Sequence, residues 1–405
     1  MTKKQLSYNI QYALMQGLYW LGFCACVAFA AVYMQHRGYT NSEIGLTIAL
    51  GNIIGVALSA WLGSLADRKG RTGLFAALMA LVVGQLIIQG AFTFIKSASG
   101  FVAVGYCLYL AFVNAGGGLV NQLSFELQAE CGRVNFGTAR ALGSLFYSLG
   151  AMVIGALLEA YTPAALPLAA GTSMLCQLVL LFALSMELGR GTVSADERAT
   201  PGKGEGEASS LLDFFRNNRR YTLMMFGMGI LFISQNLVIT FFINVVRAAG
   251  GDTADMGRIT GFMAIMELPT MLLFDRISRR ISAPACMRIA SVGLVLKALA
   301  FALATSVSGL YAACLLQAVS FGLITPASVR YSDLYIPAKD AAKGQTVAFA
   351  MTTLGSVFAG SIGGILFDNL PVRSALLVGT AVAVAGAVVC IGFSKPEREM
   401  NDKNA

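Results

Sequence analysis

Gly63-Ser64-Leu65-Ala66-Asp67-Arg68-Lys69-Gly70-Arg71 is a short, highly charged turn set between two long apolar runs. The run before it covers about residues 43–65 and the run after it about 72–95. A bilayer core takes roughly 20 apolar residues per helix, so each run is long enough to cross. The stretch therefore reads as two membrane-spanning helices joined by a tight charged loop.

Ten more runs of the same kind fill the chain. They lie at about 8–35, 101–125, 137–160, 166–187, 220–246, 255–275, 284–305, 309–333, 344–367 and 373–393. Of the 405 residues, 56% are hydrophobic and 12% charged. Soluble domains carry about 25% charged residues, and twelve spans with short loops leave no room for one. The 44 glycines are spread through the apolar runs, as close helix packing in lipid requires. The short alternating segments of a β-barrel are missing. The sequence predicts an all-α membrane protein of twelve helices in two six-helix bundles.

The net charge of +8 could suggest nucleic acid, but its distribution argues otherwise. Loops after odd-numbered spans hold few basic residues: Arg37, Lys96, Arg247, Arg258 and Arg373. The other loops and the ends hold most of the rest, including Arg68, Lys69, Arg71, Arg276, Arg279, Arg280, Lys339, Lys343, Lys395 and Arg398. That bias puts both termini in the cytoplasm. The basic start, Met1 to Gln5, precedes an apolar run too long for a signal core. The eight cysteines show no CxxC pair or metal spacing, so they read as small apolar residues.

Residues 188–219 differ in kind. GRGTVSADERATPGKGEGEASS is polar and Gly-rich and reads as a disordered linker. The following LLDFFRNNRR is amphipathic with a basic end, suited to the inner membrane surface. The expected domains are 1–187, an N-terminal bundle; 188–219, a cytoplasmic linker; 220–394, a C-terminal bundle; and 395–405, a cytoplasmic tail. The halves also echo each other. Asp67-Arg68 with Arg71 recurs as Asp275-Arg276 with Arg279, and Pro163 recurs as Pro371, both 208 positions on. Glu159/Asp368 and Gly137/Gly344 recur at nearly the same offset. One offset at several unrelated places indicates a duplicated six-helix unit.

Gly63, Asp67, Arg68, Gly70 and Arg71, with the copy Asp275-Arg276, are candidate gating residues. A carboxylate at a helix end can face another helix's positive N-terminus or a guanidinium, contacts that close one side of a carrier and break in the other state. Ionisable residues inside a span are costly and functional by default. Glu267 and Lys297 fall midway along their spans, and Arg140 lies in the cytoplasmic half of its own. A purely structural alternative is an ion pair tying two helices, or an arginine snorkelling to the interface. Polar residues on other spans, namely Gln16, Tyr19, Asn114, Asn121, Gln122, Gln235, Asn236 and Gln317, describe a cavity rich in amides and aromatics. That suits a hydroxylated, largely neutral solute. His36, at the outer end of the first span, reads as facing solvent or head groups.

The Gly63–Arg71 loop resembles the signature loop of the major facilitator superfamily, in the place that family carries it. Asn114-Ala115-Gly116 and Phe136-Gly137-Thr138-Ala139-Arg140 with Gly143 and Tyr147 resemble motifs of the oligosaccharide–proton symporters and their nucleoside-permease relatives. The resemblance implies that Arg140 binds solute hydroxyls, Tyr147 stacks on a ring, and Glu267 joins solute binding to proton coupling. Lys297 sits where the sugar porters carry an arginine. Gln317 and Ser320 stand where lactose permease carries a histidine and a glutamate, and Gln235 stands for an aspartate. These departures fit the nucleoside-permease relatives better.

The expectation is a secondary transporter in the cell membrane, functional as a monomer, importing a sugar, nucleoside or similar small solute with protons by alternating access. Solute would be held by Arg140, Tyr147, Asn114, Gln122, Gln235, Asn236, Tyr19 and Gln317, with Glu267 and Lys297 coupling the proton. Its partners are that small molecule, protons and the lipid bilayer, with no nucleic acid, cofactor or metal. The alternatives are a carrier of organic anions or aromatic acids, with Arg140 and Lys297 as counter-charges, a drug–proton antiporter, and a transport-dead sensor. The proline-free fifth span argues against the antiporter, and solute counterflow separates the sensor. No nucleophile–base set, metal cluster or phosphate loop points to an enzyme.

Overall fold

A computed structural model describes residues 3–95, 98–132, 134–188, 210–337 and 340–394. Most of the polar linker, Lys96, Lys339 and the tail with Lys395 and Arg398 lie outside the described residues. The rest is helical, and no strand occurs among the described residues. The chain divides into two compact units, one of Met1–Ala199 with Asp252–Gly261 and one of Thr200–Gly251 with Phe262–Ala405.

The first unit holds α1 (Lys3–Val27), α2 (Ala30–His36), α3 (Asn41–Phe94), α4 (Gly100–Cys131), α5 (Phe136–Ala160) and α6 (Leu166–Leu188). α3 has 54 residues, about 80 Å of helix, more than twice a bilayer core of ~30 Å. It contains both expected spans flanking the charged turn. Gly70 breaks it, with φ 63° and ψ −147°, a conformation essentially reserved for glycine. Thr40 and Glu43 form a reciprocal capping box at its start. α1 and α2 interrupt the first expected span at Ala28–Phe29, and neither glycine nor proline lies at that bend.

The second unit holds α7 (Leu211–Asn217), α8 (Arg219–Thr240), α9 (Phe242–Ala248), most of α10 (Thr253–Ile277), α11 (Ala283–Leu303), α12 (Val307–Leu315), α13 (Phe321–Tyr335), α14 (Ala341–Asn369) and α15 (Val372–Phe393). α7 is the amphipathic piece: Phe214 is buried and Leu212 exposed. α8 and α15 pack backbone to backbone. A Cβ on Gly227 would lie 2.6 Å from the Cys390 amide nitrogen, and one on Gly386 2.7 Å from that of Leu231. Small residues permit this approach where apolar side chains cannot drive association in lipid.

Among the described residues, ten helices are long and apolar enough to cross a membrane. α3 covers two of the expected spans, and the expected tenth span, within 307–335, is not among these ten helices. That tenth span is not the continuous 309–333 helix the sequence predicts. It unwinds over residues 316–320. There the Gln317 amide bonds back to the Cys314 carbonyl, and Gly322 bonds back to Gln317, so the ladder switches from a tight to a wide turn. Pro326 has no N–H for the Gly322 carbonyl, which weakens the helix just beyond the break. Large apolar side chains lie exposed on both units, among them Trp61, Phe94, Phe125, Leu272 and Val388, as a bilayer-facing surface requires. All eight cysteines are free thiols.

Candidate functional site

Arg140 and the Glu267–Lys297 pair each lie in a cluster of polar groups inside the spans, one cluster in each unit. In the first, Arg140 on α5 lies over Trp20 on α1, its guanidinium carbon 3.9 Å from the ring centroid. It also donates to the Ser144 hydroxyl at 3.0 Å. Trp20 Nε1 donates to Gln16 Oε1 at 3.2 Å. The Gln16 amide nitrogen donates to Tyr12 and Asn121, at 2.7 and 3.0 Å. Gly143 makes this possible, because a Cβ there would sit 2.5 Å from Trp20 Cδ1. One glycine on α5 thus lets an indole reach the arginine one turn away. Tyr147 follows Arg140 by seven residues, about two turns, on the same helix face.

In the second unit, Lys297 on α11 is 98% buried. Its ammonium donates to Gln235 on α8 and to Gln317 Oε1 at 2.5 Å. Gln317 Nε2 donates to Glu267 on α10 at 2.6 Å. The direction of this chain is fixed by chemistry: an ammonium only donates, so both amide oxygens must face Lys297. The Gln317 NH2 is then left to face a carboxylate. Gln317 thus bridges Glu267 and Lys297 in a three-member relay. Gln317 can reach both because it sits in the unwound stretch. Gly322 just beyond it lets α13 approach α10, its Cβ position 3.3 Å from the Glu267 Cα. The Gln235 Nε2 is buried with no partner among the described residues.

The gate loop is a third cluster. Asp67 accepts from Gln122 Nε2 at 3.0 Å. Arg71 bonds Glu126 at 3.2 Å, Glu130 at 2.9 Å and the Leu188 carbonyl at 3.0 Å. Asp67 thus meets an amide, and among the described residues Arg71 rather than Arg68 makes the ion pairs. Arg68 is exposed, and a methyl on Gly63 would meet nothing within 4 Å. Asp275 and Arg276, in the second copy, are exposed and make no side-chain hydrogen bond or ion pair among the described residues.

A model of the MFS_1 like family matches residues 10–377. The chain belongs to the MFS_1 like family. This MFS_1-like transporter is 23% identical to an uncharacterized transporter, YwbF, of Bacillus subtilis (strain 168), over 96% of this chain and 94% of that one. It is also 23% identical to a maltose permease of Geobacillus stearothermophilus, over 95% and 94%. Its fold is similar to the crystal structure of the nucleoside transporter NupG, with a TM-score of 0.78, 14% identity, and coverage of 98% of this chain and 100% of that one.

The expected binding residues of the MFS_1-like chain separate on inspection. Arg140, Gln235 and Gln317 lie in the polar clusters. Gln122 lies at the gate loop with Asp67. Tyr19 gives its hydroxyl to the Val113 carbonyl at 3.1 Å. Asn114 donates to Asn52 on α3 at 2.8 Å, and Asn236 to the Phe232 carbonyl of its own helix at 2.8 Å. These three are held by helix packing in this state. Sequence reasoning missed Trp20 and Asn52. The four-residue spacing of Gln16 and Trp20, on one face of the first helix, was the available signal.

Proposed function

We propose that the protein is a proton-coupled symporter that takes up a sugar, nucleoside or similar hydroxylated solute across the cell membrane, as a monomer with both termini cytoplasmic. The observation that carries this reading is the Lys297–Gln317–Glu267 relay in the break between α12 and α13. Unwound backbone at membrane depth is tolerated where it lines a site.

The relay supplies a coupling logic. With Glu267 ionised, its charge and that of Lys297 offset each other through Gln317. A proton on the Glu267 oxygen facing Gln317 weakens that acceptor and puts an O–H donor against the Gln317 NH2. Turning the amide gives the new O–H an acceptor, and Lys297 then loses the Gln317 oxygen. A buried ammonium short of acceptors is costly, and solute hydroxyl oxygens can take its protons. Protonation of Glu267 and binding of a hydroxylated solute therefore favour each other, which is symport by linkage. Arg140, held by Trp20, and Tyr147 offer the guanidinium and ring for a polar cyclic solute.

The test is transport by protein reconstituted in proteoliposomes. An imposed inward proton gradient should drive accumulation of a sugar or nucleoside, and Glu267→Gln should abolish accumulation while retaining solute exchange. If Glu267→Gln still concentrates solute on a pH gradient, the coupling role belongs to another group.

A further inference from the structure

The two copies of the charged turn differ in how they dispose of their arginines. In the first, Arg71 is consumed by Glu126, Glu130 and a backbone carbonyl. In the second, Arg276, Arg279 and Arg280 are all exposed, and none has a side-chain hydrogen bond or ion pair among the described residues. They border a cleft of about 500 Å³ whose other walls are Leu273, Ile277 and Ile281. Three guanidiniums around one cleft repel one another and call for an anion. The walls say which kind: Leu272 and Leu273, 72% and 44% exposed, lie on the last turns of membrane-spanning α10, immediately before the arginines. Acyl chains therefore meet the protein one helical turn from the charges.

We infer that this cleft binds the phosphate head group of an anionic phospholipid, with its chains along Leu272 and Leu273. The guanidinium fork matches phosphate oxygens bidentately. In the proposed orientation this is the cytoplasmic face, whose leaflet carries anionic lipid and attracts juxtamembrane basic residues.

The experiment titrates purified full-length protein in zwitterionic detergent with short-chain phosphatidylglycerol, or phosphatidylcholine of the same chains, and reads lipid retention by native mass spectrometry. Each arginine near an anionic surface contributes about fivefold in affinity, so phosphatidylglycerol should bind on the order of 100-fold more tightly. The triple variant Arg276→Gln/Arg279→Gln/Arg280→Gln, all at exposed positions, should bring the ratio close to one. A control pair of exposed arginines away from the cleft, Arg258→Gln/Arg373→Gln, on the opposite face in the proposed orientation, should leave it nearly intact. The inference is overturned by any of three results. The triple variant keeps the preference, the control pair loses as much of it, or glycerol phosphate without chains displaces the lipid at equal concentration.

Discussion

Replacing Gln317 with leucine tests whether the amide bridge holds the two buried charges in place. The side chain is 99% buried and makes two hydrogen bonds to charged groups, from Lys297 at 2.5 Å and to Glu267 at 2.6 Å. A neutral interhelical hydrogen bond in a membrane averages about 0.6 kcal/mol, whereas bonds to charged groups contribute roughly 1.5–3 kcal/mol each. Losing both costs about 3–6 kcal/mol. Burial of the leucine side chain returns about 1.5–2 kcal/mol, leaving a net loss of roughly 2–4 kcal/mol. At about 2 °C per kcal/mol for a large domain, the melting temperature should fall by about 4–8 °C. Two measurements bear on it: thermal unfolding of the purified variant, and proton-driven accumulation against solute exchange in proteoliposomes. Accumulation should fail while exchange persists. Gln317→His, which can accept on one ring nitrogen and donate on the other, should recover both in part. A Gln317→Leu protein with native melting temperature and native accumulation would show that the relay bears neither charge nor coupling.

Trp20→Leu removes the ring under Arg140, worth about 1–2 kcal/mol, and should weaken solute binding about 5- to 30-fold by equilibrium titration; unchanged affinity would separate Trp20 from the site. Gly227→Val would press a side chain onto the α15 backbone near Cys390 and should cost at least about 1–3 kcal/mol of overpacking, read as a lower melting temperature, with native melting refuting the close approach. Asp67→Asn keeps a group able to accept from Gln122 but removes the charge, so transport should slow while equilibrium affinity stays near native; a large loss of affinity in a folded variant would move Asp67 from gate to binding site.

The fold was legible because lipid makes its demands locally. Every span must be about 20 apolar residues, and the charged turn at Gly63–Arg71 marks its hairpin within nine positions. The buried charges Arg140, Glu267 and Lys297 stood out for the same reason. What they touch was not legible, because it depends on helix breaks and close approaches. No pattern of hydropathy shows that 316–320 unwinds or that Gly143 clears space for Trp20. The amides Gln122 and Gln317 looked alike in sequence, yet one lies at the gate loop and the other between two buried charges. The duplicated turn was read as one device used twice, whereas its copies pair their arginines differently.

Glu267 lies two residues before Pro269 in α10, and the facing Gly322 lies four residues before Pro326 in α13. Each proline deprives the carbonyl four residues earlier of its backbone donor, so the Ile265 and Gly322 carbonyls are the weak rungs of their helices. Elsewhere in a span a bend must break a rung shielded from water, which the surrounding hydrocarbon penalises heavily. Here those rungs are already missing, on both helices, at the level where their backbones touch. Bending compliance is thus concentrated within one turn of the carboxylate. A few degrees of flexure there shifts Glu267 relative to Gln317 by a fraction of an ångström, enough to make or break a hydrogen bond whose working range is equally narrow.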